Sequence, residues 1–346
     1  MMQSAQLLAT PPSFTWLPKI AAALSLATVS LGCDLCAIYR AADARGEFTP
    51  GSVWSVSEQF THFGTEQFNG VEFIRPNPDL LDRSITHIVG GWNFSERFGV
   101  SLNLPVVHQS YRFTRMTGGF TPTPREGSET GIGDLTLVGR WRVVGVSSMD
   151  HGFTVNLLGG IHVPTGDTAH LGELREDIDH YESVVGPGHA HDALGPVVGG
   201  VHLHDLSLGS GAVDGLFGIT ASARWNRYFW NTQAQYVART EGAGHYRFAD
   251  ELILSGGPGG FLWLNNKGTL SLALNTAYET RGSDEFRGRP SIHTGQTVWF
   301  LGPLLTFTWK SHFSAQVEGE AALRAAGRGF QNVPDYRINA ALSWRF

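Results

Sequence analysis

From residue 51 to the chain end, apolar side chains recur with a period of two, in segments long enough to cross a membrane. The final segment shows the pattern. Ile338, Ala340, Leu342, Trp344 and Phe346 alternate with Arg337, Asn339, Ala341, Ser343 and Arg345. Successive side chains of a strand point to opposite faces, so one face is apolar and the other mixed. The same alternation runs from Phe98 to Val106, Leu135 to Val143, Phe153 to Ile161 and Leu270 to Leu274. Twelve such segments lie near 51–63, 84–95, 98–113, 131–144, 152–163, 213–226, 229–240, 247–264, 267–280, 294–310, 312–324 and 333–346. Each holds at least the roughly 9–11 residues of a tilted transmembrane strand. Soluble sandwiches use strands of about 5–6. The pattern predicts an all-β, transmembrane antiparallel β-barrel of about twelve strands.

The connections point the same way. Long ones (64–83, 114–130, 164–212, 241–246, 281–293, 325–332) alternate with short ones such as Glu96-Arg97, 145–151 and Asn265-Asn266. Outer-membrane barrels have an even strand number, short periplasmic turns and longer extracellular loops. This order places both barrel ends in the periplasm and the protein in a bacterial outer membrane, in contact with its lipid. Trp54, Trp92, Trp141, Trp225, Trp230, Trp309 and Trp344 fall near strand ends, as in aromatic girdles.

Composition removes rivals. Charged residues are 16%, below the roughly 25% of soluble domains. Mean hydropathy is −0.10, the near-neutral average of alternating strands. The net charge of −6 gives no electrostatic case for nucleic acid. No phosphate loop is visible, and no cofactor is implied. Ahead of the barrel, Lys19 precedes the apolar run Ile20 to Val29 and the small-residue exit Ser30-Leu31-Gly32. That is a signal-peptide layout. The expected division is a signal peptide over 1–32, a periplasmic segment or plug over 33–50, and the barrel over 51–346.

Three segments carry a family resemblance: Gly131-Ile132-Gly133-Asp134-Leu135-Thr136-Leu137, His162-Val163-Pro164-Thr165-Gly166-Asp167, and Leu208-Gly209-Ser210-Gly211-Ala212-Val213-Asp214. In this order they resemble the outer-membrane transporters linked to meta-pathway phenol degradation, over residues 85–346. The resemblance implies a channel for small solutes, often apolar or aromatic. Phe346 is similar to the C-terminal signal read by the barrel-assembly machinery. Read physically, Asp134, Asp167 and Asp214 are rim residues. Glycine permits tight turns and aspartate bonds its own backbone there, so the motifs close loops or shape a pore mouth.

The polar strand faces supply pore-lining candidates. Arg140 and Arg142 share one strand, and Arg224 lies on another. Asn275 and Glu279, then Gln316, Glu318 and Glu320, then Arg337 and Asn339 follow. They suit either an internal charge ladder or a selective constriction. Glu58 falls on the apolar face of the first strand, which makes it an interfacial residue or a sign of a different register.

The 164–212 connection is rich in His, Asp and Glu. His189-x-His191-Asp192 and His202-x-His204-Asp205 are candidate metal-ligand pairs, since imidazole and carboxylate suit zinc, copper or nickel. A solvated polar loop is the plainer reading, and a lid folded into the barrel mouth is another. Cys33 and Cys36 are open to a local disulfide, to lipidation of Cys33, or to redox or metal work. Their Cys-x-x-Cys is similar to one near the start of much larger porin-cytochrome conduits.

Finally, Val107-His108-Gln109-Ser110 resembles the His-x-Ser part of outer-membrane phospholipase A. Tyr111-Arg112 stands where that family has Asn-Gly. The leading expectation is therefore a non-enzymatic outer-membrane channel, with a phospholipase-like barrel, metal handling or extracellular electron transfer as alternatives.

Overall fold

A computed structural model of the chain describes residues 49–346 except 118–120, 149, 187–198, 292 and 311. The expected signal peptide, residues 33–48 of the expected periplasmic segment or plug with Cys33 and Cys36, and His189 and His191 lie outside the described residues.

Twelve strands form the wall: β1 (Gly51–Phe63), β2 (Leu80–Asn93), β3 (Phe98–Thr117), β4 (Leu135–Ser147), β5 (His151–Val163), β6 (Asp214–Trp225), β7 (Tyr228–Ala238), β8 (Glu251–Leu264), β9 (Gly268–Arg281), β10 (Gln296–Trp309), β11 (Phe313–Gly327) and β12 (Tyr336–Arg345). Each pairs antiparallel with its sequence neighbours, and β12 pairs with β1. The seam runs from Val53↔Arg345 to His62↔Tyr336. Ser52 and Phe346 exchange backbone hydrogen bonds of 3.1 and 3.0 Å at its end. An open edge in hydrocarbon would cost several kcal/mol per unpaired backbone group, so closure is what makes this sheet viable in a bilayer.

The barrel is inverted relative to a soluble protein. Val56, Ile88, Leu102, Phe217, Leu274 and Ile338 lie exposed on the outer face. Ser55, Ser57, Ser101, Asn156 and Gln233 are buried inside. Trp54, Trp92, Trp141, Trp225, Trp230, Trp263, Trp309 and Trp344 project outward towards the short-turn, periplasmic end, and Trp299 lies at the other. Glu58 faces outward with the rest of its apolar row. There it accepts hydrogen bonds from the hydroxyls of Ser84 and Thr86 on β2. The register is as read from the sequence, and a polar patch interrupts the belt.

Several boundaries move: β2 starts at Leu80 rather than 84, β8 at Glu251 rather than 247 and β12 at Tyr336 rather than 333, and the largest change is around β3 and β4. The segment read as a loop over 114–130 is largely strand: β3 continues to Thr117, and Thr121–Ile132 pairs back along it. Pro122 and Pro124 argue against a central strand, but this strand ends the sheet order, where a missing N–H is tolerated. Consequently β3 changes partner halfway. Residues 98–103 pair with β4, and residues 106–117 pair with the hairpin strand. The break falls at Gly133-Asp134, so β4 begins at Leu135 rather than 131.

Candidate functional site

The three glycine-aspartate motifs meet at the rim. Asp134 Oδ1 accepts from the Gly166 amide at 3.0 Å. Its Oδ2 accepts from the Ser210 amide and hydroxyl at 2.7 and 2.8 Å. The Asp167 carbonyl accepts from the amides of Leu208 and Gly209 at 3.1 and 3.0 Å. Asp214 accepts from Arg239 at 2.9 Å and from the Thr240 amide at 2.8 Å. A Cβ on Gly166 would stand 2.7 Å from the Gly209 Cα, so both positions need glycine for the strands of loop to touch.

What these motifs hold is a roof. Residues 164–186 and 199–212 do not form the solvated loop of the plainer sequence reading. Helix α1 (Ala169–Val185) and the short helix α2 (Leu203–Leu206) fold over the barrel mouth. Leu171, Leu174 and Ile178 of α1 pack with Leu203, Leu206, Phe113 and Phe286 in a buried apolar cluster. Polar tethers fix the edges. Arg83 donates to the Asp205 carbonyl and Gln109 to the Leu206 carbonyl. Asn332 N donates to the Gly200 carbonyl at 2.8 Å, and Arg125 pairs with Glu173 at 3.1 Å.

Beneath the roof lies a chamber of about 480 Å³ inside the barrel. One part of its lining is apolar, with Ile85, Pro105, Val107, Phe248, Ile253 and Phe300. Arg83, Arg239, Arg281 and Arg337 face the same space, as do Asp205, Glu251 and Glu279. No hydrogen bond or ion pair holds the Arg281 side chain among the described residues.

Six of the expected lumen residues form one ladder, buried at Asn275, Glu318, Glu320 and Arg337 and half-buried at Glu279 and Asn339. Arg337 donates from Nε and Nη2 to the single oxygen Oε2 of Glu320 and bonds Glu279 at 3.1 Å. Its guanidinium lies 4.6 Å over the Phe300 ring. Asn275 donates to Glu318 at 2.6 Å and to Glu320 at 3.1 Å, and Asn339 donates to Glu318 at 3.1 Å. Asn275 reaches across β10 because its partner there, Gly302, has no side chain. Of this ladder, Glu279 and Arg337 touch the chamber. Gln316 is buried on the same wall.

The other three stand apart. Arg140 donates to Asn93 at 2.9 Å. Arg142 sits at the irregularity of β4 against Gly145. Arg224 donates to the Ser148 carbonyl at 2.8 Å, at the short-turn end of the barrel. The sequence reading missed Gln59, Arg83, His87, Asn103, Gln235 and Arg281, all of which line the chamber. For Gln59, His87, Asn103 and Gln235 the signal was present, since each lies on the inward set of a strand already read; Arg83 and Arg281 fell in the segments read as the connections 64–83 and 281–293, and sit where the strands run past those bounds.

His202, His204 and Asp205 come together in the roof, with His204 and Asp205 facing the chamber. His108 and Ser110 point outward instead. His108 bonds Thr130 at 2.7 Å, and no hydrogen bond joins it to Ser110.

The sequence matches no family profile and no curated protein. Among solved structures, the barrel is similar to an outer membrane channel from Pseudomonas putida F1, with a TM-score of 0.56 at 11% identity, covering 88% of this chain and 98% of that one. It also matches the β domain of the Bordetella autotransporter BrkA (TM-score 0.43, 10% identity, 85% and 100% covered). A third match is the NalP translocator domain from Neisseria meningitidis (0.41, 11%, 95% and 98%). The first shows the fold, a transmembrane barrel of the outer-membrane type. The other two likenesses are too loose to bear on function.

Proposed function

We propose that this chain is an outer-membrane channel for small organic solutes, including apolar and aromatic ones, with the inward-folded segments 164–186 and 199–212 as its gate. The observation that carries this reading is the roofed chamber of about 480 Å³, whose wall offers apolar and charged surface side by side. That volume suits one small molecule rather than a polymer, and a largely apolar pocket with a few placed polar groups is the usual form of such a site. The resemblance of the rim motifs to transporters linked to phenol degradation supports the aromatic part. The outer face meets lipid, and the exposed Phe346 at the seam suits recognition by the barrel-assembly machinery.

The test is flux through purified protein in liposomes. Phenol or benzoate should enter faster than into protein-free vesicles, and a shortened 168–207 connection should raise the rate and the single-channel conductance. Equal entry with and without protein, for both the parent and the shortened form, would end this reading.

A further inference from the structure

We propose that the His202–His204–Asp205 cluster in the chamber roof binds one divalent transition-metal ion of the zinc, copper or nickel type. This site stands on its own donors and does not require that the barrel conduct solute.

The donor chemistry comes first. Two imidazoles and a carboxylate suit borderline metals, where carboxylates alone would suit calcium or magnesium. Spacing comes second. One donor atom from each of the three residues lies within 4.8 Å of the others. Neighbouring ligands of a tetrahedral ion bound at about 2.0–2.1 Å stand roughly 3.3–3.4 Å apart, so a small side-chain rotation closes the set. The two rings stack at an interplanar angle of 10°, so one of them turns about its Cβ–Cγ bond to complete the set.

The third observation is unmet demand. His202 is 9% exposed and His204 3%. Nε2 of His202 is buried without a hydrogen-bond partner. Buried polar atoms are normally satisfied, and an orphaned imidazole nitrogen beside a second imidazole and a carboxylate calls for a ligand.

The scaffold is also set. The His202 amide donates to the Asp205 carboxylate at 3.0 Å, and Arg83 holds the Asp205 carbonyl. His293 and Tyr246 flank the imidazole pair in one continuous ring stack, at centroid distances of 6.2 and 5.6 Å. Because His204 and Asp205 border the chamber, a fourth position stays open on that side, as in metal sites that exchange ligands. Arg281 and Arg83 repel a dication from the chamber side. Their effect is a site that exchanges its ion rather than trapping it.

The test is titration of the full chain in detergent, stripped with EDTA, using Zn²⁺ by calorimetry and Co²⁺ by visible absorption. The expected result is an ion per chain at this site, with a tetrahedral Co²⁺ band. His202→Ala and His204→Ala should each weaken binding at least about tenfold and remove the band. A His189→Ala/His191→Ala chain should keep both. Heat-modifiable gel migration confirms that each variant is a closed barrel. Absence of the band in the parent, or its survival in His202→Ala/His204→Ala, would overturn the proposal. Ion binding without solute flux would sink only the channel reading, and flux without ion binding only this one.

Discussion

Asp134 receives both the amide and the hydroxyl of Ser210, at 2.7 and 2.8 Å, across 76 residues of sequence. Its second oxygen holds Gly166. One carboxylate thus ties the start of β4 to both ends of the roof. Asp134→Ala should free the roof while leaving the wall intact. Hydrogen bonds to a charged group are worth about 1.5–3 kcal/mol each and overlap here, so a local loss of about 3 kcal/mol is expected. Hydrogen exchange should speed up over 164–186 and 199–210 and stay unchanged in β8 to β11. Unaltered protection of the roof would refute this role.

Close approach predicts a second asymmetry. A Cβ on Gly209 would sit 2.7 Å from Asp134 Oδ1 and from the Gly166 backbone, whereas Gly159 has nothing within 4 Å. Gly209→Ala should destabilise the rim by about 1–3 kcal/mol, and Gly159→Ala should be tolerated. Urea unfolding midpoints in detergent micelles compare the two.

Arg337 is 3% exposed and serves Glu320 and Glu279 together. Arg337→Met should cost about 3–5 kcal/mol, because it strands buried carboxylates. Adding Glu320→Gln should recover a good part of that. If the double variant is as unstable as the single one, the ladder is not the reason.

Asp79 gives a pH dependence. Burial, reinforced by Glu66, outweighs Arg75 and pushes its carboxyl up from 3.8 to about 6. The folded state therefore holds this proton more tightly than the unfolded chain. The stabilisation is fully present below the ordinary carboxylate range and is lost as pH rises through about 6. Relative to Asp79→Asn, the parent's unfolding midpoint should fall between pH 4 and 7. Parallel curves would refute the assignment. Because Asp79 Oδ2 also accepts from the Val201 amide at 3.4 Å, exchange at the roof edge should change over the same range.

How much of this was legible depended on range. The wall was, because period-two alternation is local and a one-residue slip would turn Glu58 and its whole row inward. The membership of the ladder was legible from the polar face of β9, β11 and β12. Its pairing was not, since Asn275 meets Glu318 only where Gly302 leaves a gap. The roof was the largest loss. Leu171, Leu174 and Ile178 carry a helical spacing, but His170, Glu173, Glu176 and Asp177 between them read as solvent-facing charge. Phe113 on β3 and Phe286 in the 281–293 connection, the surfaces that bury that stripe, arrive from distant parts of the chain.

The hairpin strand Thr121–Ile132 ends its sheet above the rim, so one side of it has no strand neighbour. Such an edge is a template on which another chain can grow. In a crowded outer leaflet the nearest candidate is the same hairpin of a second barrel. Pro122 and Pro124 offer no N–H there, and the exposed Glu126 repeats the same charge on every copy. Both features work against edge-to-edge growth of the sheet from one barrel into the next.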